Sequence, residues 1–140
     1  MNVETLGQVF TPQNIVSEML QLRRNRGTIL EPSSGDGAFL QNFDSKAVGI
    51  EIDEKRKFDN RVLTMDFFDY GIENKFETII GNPPYVRFQD IRFDTKFKLD
   101  MKIFDKRTNL YKFFIYKSIQ HLEDGGELIF ITKTSRKAPS

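Results

Sequence analysis

The sequence predicts an α/β fold, an open and mainly parallel sheet of about five strands with helices on both faces. Short apolar segments rich in β-branched residues recur along the chain, and polar or glycine-containing turns follow them. Segments with the apolar spacing of helices accompany these strands. Strands that alternate with helices pair in parallel through right-handed crossovers, so the 140 residues are expected to form one layered domain.

Five segments are expected to be strands because they combine apolar and β-branched residues over strand-like lengths. In chain order they are Thr28 to Glu31, Ala47 to Glu51, Arg61 to Met65, Phe76 to Ile80 and Glu127 to Thr132. The last of them follows a turn signal, Glu-Asp-Gly-Gly at 123–126.

Two segments have the periodicity of helices. Thr11 is expected to cap the first helix, with Pro12 at its first position. Its apolar face consists of Ile15, Val16, Met19 and Leu20. The second helix is expected at 110–122, and its residues available for burial are Leu110, Phe113, Phe114, Ile119 and Leu122. His121, which has no neighbouring metal-type ligand in the sequence, is interpreted as structural.

The composition excludes several kinds of site. The chain has no cysteine, which excludes a disulfide framework, a thiolate metal site and a cysteine nucleophile, and is typical of a reducing cytosol. The lone histidine gives no reason to expect any other metal site. No apolar run approaches the roughly 18 residues of a membrane span, so we expect a soluble protein, and the absence of cysteine favours a cytoplasmic one.

The two halves of the chain differ in charge. Residues 1–85 carry 9 basic and 13 acidic side chains, whereas residues 86–140 carry 12 basic and 7 acidic ones. A basic half fits either a polyanionic partner or an ordinary solvated surface. Aromatic and basic residues mix over 86–108, which fits contact with nucleic acid or an amphipathic segment packed on the domain.

The segment after the first strand, EPSSGDGAF at 31–39, predicts a ligand-binding loop. Gly35 and Gly37 let the backbone turn sharply and approach a ligand. The dinucleotide fingerprint G-x-G-x-x-G is absent because no third glycine follows, which disfavours a dehydrogenase. Glu31 and Asp36 would repel a pyrophosphate but suit a cationic ligand such as S-adenosylmethionine, which carries an ammonium and a sulfonium group.

The next two strands end in side chains that suit an adenosine. Glu51 closes the second strand, where two ribose hydroxyls could donate to its carboxylate. Asp66 follows the third strand and can accept from an exocyclic amine, and Phe67 can stack on a base. Because the carboxyl ends of parallel strands meet at one edge of a sheet, these residues predict a single adenosine pocket.

The fourth strand runs into Asn82-Pro83-Pro84-Tyr85. The two prolines stiffen this turn and remove two N–H groups, so carbonyls dominate its polar surface. An amino group conjugated with a purine or an amide is a poor nucleophile. The Asn82 side-chain oxygen and the Pro83 carbonyl can accept its two protons and turn its lone pair toward a methyl donor. Tyr85 could stack on the planar substrate.

On these residues the chain resembles the γ-type N6-adenine DNA methyltransferases, which have a Rossmann-like class I S-adenosylmethionine-dependent fold. Gln8 to Pro12 matches the leading motif of that family, Glu31 to Phe39 its glycine loop, and 109–114 the helix that closes its pocket. The resemblance implies methylation of adenine N6 in DNA within a restriction-modification system, on a base flipped out of the duplex. The implied cofactor residues are Phe10, Thr11, Glu31, Ser33, Gly35, Glu51, Ile52, Asp66 and Phe67, and the implied catalytic residues are Asn82, Pro83, Pro84 and Tyr85.

The chain also departs from that family, whose catalytic domain has seven strands and usually a separate target-recognition domain. We therefore expect an incomplete catalytic domain at 1–132 and a polar tail at 133–140. A recognition subunit or a second copy is expected to cover the open edge of the sheet. Two alternatives stay open: glutamine N5-methylation of a protein, where the same turn acts on a side-chain amide, and a non-catalytic cofactor-binding remnant or subunit of a split methyltransferase.

Overall fold

The computed structural model describes residues 10–132, which form a five-stranded, fully parallel sheet. The strands are β1 (Ile29–Glu31), β2 (Ala47–Glu51), β3 (Val62–Thr64), β4 (Phe76–Gly81) and β5 (Leu122–Phe130), and the helices are α1 (Gln13–Gln21), α2 (Phe93–Lys96) and α3 (Leu110–Gln120). The strand order is β3-β2-β1-β4-β5. The predicted fold class is therefore confirmed. The predicted tail at 133–140 and the first residues of the leading motif, Gln8 and Val9, lie outside the described residues.

Successive residues of the central strands supply two core layers, one on each face of the sheet. In β1, Leu30 belongs to the layer that contains Phe113 of α3. Its neighbour Ile29 belongs to the other layer, together with Val16 of α1. A helix thus packs against each face of the sheet, which agrees with the predicted helices on both faces.

The fifth strand begins earlier than predicted, because the expected turn lies inside it as an irregularity. Leu122 pairs with Phe76, but the next paired residue, Glu127, lies opposite Thr78, so the register shifts between them. Gly125 takes a positive φ of 76° in this bulge. The turn residues therefore bend the strand without ending it.

Three local predictions are wrong. Pro12, and not Thr11, occupies the N-cap position of α1, and its carbonyl accepts from the backbone N–H of Val16 at 3.0 Å. Ile119 of α3 is 54% exposed. Within the described chain, the connections from β1 to β4 contain short 3₁₀ turns in place of α-helices. In the first connection the 3₁₀ turn Leu40–Asn42 follows Gly35 and Gly37, whose φ values of 53° and 82° α-helices do not adopt.

None of the helices within 10–132 is long and apolar enough to cross a membrane.

Candidate functional site

The carboxyl ends of the central strands border two adjoining cavities, which share Ser33 and Pro84 in their walls. We call the first the apolar cavity; it is lined by Pro32, Ser33, Glu51, Ile52, Met65, Asp66, Phe67, Phe68, Pro84, Val86, Ile91, Arg92, Thr95, Leu110 and Phe114. We call the second the polar cavity; it is lined by Thr11, Glu31, Ser33, Ser34, Gly35, Asp36, Ala38, Phe39, Arg56, Asn82 and Pro84. Apart from Phe10, the residues predicted to bind the adenosine and the methionine part thus lie in neighbouring compartments of one crevice.

Glu51 joins the end of β2 to the glycine loop. Its side chain is 1% exposed, and Oε1 accepts from the backbone N–H of Gly35 at 2.8 Å. Oε2 accepts from the N–H of Asp53 at 2.9 Å. These two bonds fix the carboxylate at the wall of the apolar cavity, where the sequence predicted a ribose-binding group.

Glu31, at the end of β1, places a second buried carboxyl beside the glycine loop. Oε1 accepts from the N–H of Leu40 at 3.1 Å. Burial raises the pKa of Glu31 well above its ordinary value, the Leu40 hydrogen bond opposes this, and the charges of Asp36 and Glu51 raise the pKa further. A cation entering the polar cavity would favour the ionised form of Glu31.

Asp66 lines the apolar cavity as predicted, and three groups of the chain already donate to its carboxylate. Oδ1 accepts from the N–H of Phe68 at 3.0 Å. Oδ2 accepts from the Thr95 hydroxyl at 2.6 Å and from the Lys98 ammonium at 3.3 Å. A carboxylate has about four acceptor positions, so one further donor can still be accommodated.

Phe67 also lines the apolar cavity, and its ring packs within a cluster that includes Phe114, His121 and Lys117. The ring centroid lies 5.1 Å from that of Phe114 and 5.4 Å from that of His121, and the Lys117 ammonium lies 4.4 Å from it. His121 Nδ1 donates to the Asn74 carbonyl at 2.8 Å, and Nε2 lies 2.6 Å from the Lys117 nitrogen, from which it accepts. The interpretation of His121 as a structural residue agrees with these contacts, because its two hydrogen bonds hold its ring in place against that of Phe67.

The Asn-Pro-Pro-Tyr turn places Asn82 in the wall of the polar cavity. Asn82 Nδ2 donates to Thr11 Oγ1 at 3.2 Å, and the Asn82 carbonyl accepts from the Ser33 hydroxyl at 3.0 Å. Because the amide nitrogen is directed to Thr11, the amide oxygen points the other way. Thr11 therefore orients the predicted catalytic amide and does not cap α1.

The cap of α3 holds the chain that follows this turn. Asn109 Oδ1 accepts from the N–H of Tyr111 in its own helix at 3.3 Å and from the N–H of Val86 at 3.0 Å. The Val86 carbonyl accepts from the N–H of Leu110 at 2.9 Å. The ring of Tyr85 lies against that of Tyr111, with centroids 4.6 Å apart and planes at 37°. Helix α3 thus positions Tyr85, and burial raises the pKa of the Tyr85 phenol.

Comparison with known proteins shows the family to which this chain belongs. Residues 16–136 match the family model of the Eco57I restriction-modification methylases. The chain belongs to this family. It is 38% identical over 138 residues to the Type II methyltransferase M.HincII of Haemophilus influenzae, covering 91% of this chain and 28% of that protein. The Type II methyltransferase M.TthHB8I of Thermus thermophilus is 32% identical over 148 residues, covering 91% of this chain and 34% of that protein.

A solved structure agrees on the fold of this Eco57I-family chain. A protein from Listeria monocytogenes, described as a candidate class I S-adenosylmethionine-dependent methyltransferase, superposes with a TM-score of 0.60 at 16% identity. The match covers 91% of this chain and 44% of that protein. This chain therefore spans less than half of each of these three relatives.

Some predicted residues of this family member lie outside the two cavities. Phe10 is 67% exposed, and its ring lies beside Arg56, whose guanidinium carbon is 5.5 Å from the ring centroid. Pro83 and Tyr85 flank Pro84 but do not line either cavity. Apart from Phe10, the predicted cofactor residues line the two cavities, whereas of the predicted catalytic residues only Asn82 and Pro84 do so.

The sequence also missed several residues that the fold brings to the crevice. Ile91, Arg92 and Thr95 come from 86–108 and line the apolar cavity. Arg56 lines the polar cavity. The spacing of 86–108 left contact with nucleic acid and packing on the domain open, and the structure shows packing for part of it.

The titration of His121 tests whether this residue is a buried neutral member of the cluster around Phe67. Burial lowers the pKa of His121 from 6.5 to about 4; the hydrogen bond to Asn74 opposes this shift, and the positive charges of Lys117 and Lys75 contribute to it. Between these pH values the unfolded chain binds a proton that the folded chain does not. The free energy of unfolding should therefore fall by up to about 3 kcal/mol as the pH decreases through this range.

His121→Gln can keep both hydrogen bonds but does not titrate. Urea unfolding at pH 7.5 and pH 4.5 should show a smaller acid-induced loss of stability in this variant than in the wild type. Equal losses in the two proteins would contradict the assignment of His121 as a buried neutral group.

Proposed function

We propose that this chain binds S-adenosylmethionine and transfers its methyl group to the N6 atom of adenine in DNA. The observation that carries the proposal is the position of Asn82, in the wall of a cavity that adjoins the one lined by Glu51, Asp66 and Phe67. Membership of a restriction-modification methylase family supports DNA as the substrate. A cytoplasmic location fits DNA as the substrate.

The cofactor would lie across both cavities. Its adenine would stack on Phe67 and donate its amine to Asp66, while the ribose hydroxyls would donate to Glu51. Its ammonium would lie in the polar cavity near Glu31. The wall shared by the two cavities, Ser33 and Pro84, would then border the sulfonium and its methyl group.

Asn82 would activate the target amine from this position. The Asn82 amide oxygen and the Pro83 carbonyl would accept the two N6 protons, which reduces delocalisation of the nitrogen lone pair into the purine. S-adenosylmethionine would supply the methyl carbon to which the N6 lone pair bonds, and its sulfur would keep the electrons of the broken carbon–sulfur bond and become neutral. The product nitrogen then loses one proton to solvent, so no strong base is required. Tyr85 would stack on the target ring from its place against Tyr111.

Two substitutions should separate binding from chemistry. Asn82→Ala should leave the calorimetric affinity for S-adenosylmethionine within about threefold of wild type and lower methyl transfer by at least about 100-fold, since this residue acts on the substrate. Glu51→Gln should weaken cofactor binding by about tenfold or more, because a neutral amide replaces a charged acceptor. Transfer is measured with tritiated cofactor on unmethylated DNA and, in parallel, on a protein extract.

Each other result rejects part of the proposal. Equal losses of cofactor affinity in both variants would contradict the division of roles. Label in protein and not in DNA would favour the glutamine alternative. Cofactor binding by the folded chain with no transfer to either substrate, alone or with a partner subunit, would favour a non-catalytic module.

We further propose that α2 contacts the DNA beside the target base. Phe93 and Phe97 are 75% and 76% exposed, and their rings pack edge to face at 4.7 Å. Lys96 lies between them in sequence, with its ammonium 5.2 Å from the ring of Phe88. Exposed rings beside cations suit unstacked bases flanked by phosphates.

Replacing both exposed rings should weaken DNA binding without weakening cofactor binding. Phe93→Ser with Phe97→Ser should reduce affinity for a duplex with an unpaired adenine by about tenfold or more, because one stacked base contributes about 1–3 kcal/mol. Ile119→Ser removes an exposed apolar side chain from α3 and is the matched control. Fluorescence anisotropy measures the affinities, and equal values for the double variant and the control would reject this surface.

We also propose that another protein chain packs against the free edge of β5. Within residues 10–132, β5 pairs with β4 alone. A recognition subunit or a second copy of the chain would cover the other edge of β5 and select the DNA sequence. Chemical cross-linking of the chain with its native partners should place cross-links at β5, and cross-links that avoid this edge would reject this arrangement.

A further inference from the structure

Arg56 supplies the positive charge in the wall of the polar cavity. Of the described residues that line this cavity, Arg56 is the one cationic side chain, whereas Glu31 and Asp36 are acidic. It belongs to the 3₁₀ turn Glu54–Arg56, which follows β2. Neither the glycine loop nor the Asn-Pro-Pro-Tyr motif includes it.

The guanidinium lies close to the glycine loop. Its Nη2 is 3.5 Å from the position that a Cβ on Gly35 would occupy, and Gly35 has a φ of 53°. On its other side, the guanidinium carbon lies 5.5 Å from the ring centroid of Phe10. Arg56 therefore lies in the wall of the polar cavity between the glycine loop and Phe10, which precedes α1.

Hydrogen bonds tie Arg56 to the ribose-binding candidate Glu51. The N–H of Arg56 donates to the Asp53 carbonyl at 3.0 Å, and the N–H of Asp53 donates to Glu51 Oε2 at 2.9 Å. The side chain of Asp53 caps the same turn by accepting from the N–H of Lys55 at 3.0 Å. The backbone of Arg56 is thus anchored to the same loop that Glu51 holds.

We propose that Arg56 binds the α-carboxylate of the methionine part of S-adenosylmethionine and makes the site selective for cofactors that carry it. The inference rests on the proposed function, which places this zwitterionic end in the polar cavity. Its ammonium suits Glu31, but its carboxylate would be repelled by Glu31 and Asp36 without a nearby cation. A guanidinium provides paired N–H donors that match the two carboxylate oxygens.

Two ligands can distinguish carboxylate binding by Arg56 from a purely structural role of this residue. S-adenosylmethionine and its decarboxylated analogue, which ends in an aminopropyl group, share the adenosine, the sulfonium and the amine. If Arg56 only supported the glycine loop, removing it would weaken both ligands alike. If it binds the carboxylate, its removal would weaken the carboxylate-bearing ligand alone.

The test is calorimetric titration of both ligands into the wild type, Arg56→Met and Lys57→Met. Lys57→Met is the matched control, because it removes an adjacent exposed charge that lies outside both cavities. Wild type should prefer S-adenosylmethionine over the analogue by about tenfold or more, and Arg56→Met should abolish that preference by weakening S-adenosylmethionine alone. Lys57→Met should keep the preference.

Two results would overturn the proposal, and they differ. A parallel loss for both ligands in Arg56→Met, or no loss for either, would reject carboxylate recognition while leaving the proposed function standing. A folded wild-type chain that binds neither ligand would reject the proposed function, and this inference with it.

Discussion

Two buried carboxyl groups at the ends of neighbouring parallel strands set the geometry of the crevice. Glu31 ends β1 and Glu51 ends β2, and each is only 1–2% exposed. Buried carboxyl groups need hydrogen-bond donors, and backbone N–H groups of the connecting loops provide them. The N–H of Gly35 and that of Asp53 donate to Glu51 at 2.8 and 2.9 Å, so one side chain holds two loops in place.

This constraint explains why the two cavities have different characters. The carboxylate of Glu51 is held at the boundary of an apolar cavity, whereas Glu31 and Asp36 make the other cavity acidic. Ser33 and Pro84 separate the compartments, and the Ser33 hydroxyl donates to the Asn82 carbonyl at 3.0 Å. The turn proposed to carry the chemistry is therefore bonded directly to the loop proposed to hold the cofactor.

The strands of the sheet, and the meeting of most of the proposed cofactor residues at one edge of it, could be predicted from the sequence. Strand β2 has the predicted bounds, and Glu51, Asp66 and Phe67 meet at one cavity because parallel strands end at one edge. Local patterns did not predict contacts made across the chain. Thr95 donates to Asp66 across 29 positions, and neither residue carries a signal of the other.

The sequence also could not predict which side chain in a run of similar residues lines a cavity. Lys55, Arg56 and Lys57 are adjacent cations, and the backbone of the 3₁₀ turn Glu54–Arg56 and of the residue after it decides that Arg56 lines the polar cavity. Thr11 shows the same limit. A threonine hydroxyl can cap a helix or accept a hydrogen bond from Asn82, and the sequence does not show which of these it does.

The most direct measurement is a crystal structure of the chain with S-adenosylhomocysteine, the product left after methyl transfer. The account predicts the adenine against Phe67, the ribose hydroxyls on Glu51, and the sulfur beside Ser33 and Pro84 on the side that faces Asn82. A nucleoside bound outside the apolar cavity, or a sulfur atom directed away from Asn82, would contradict it.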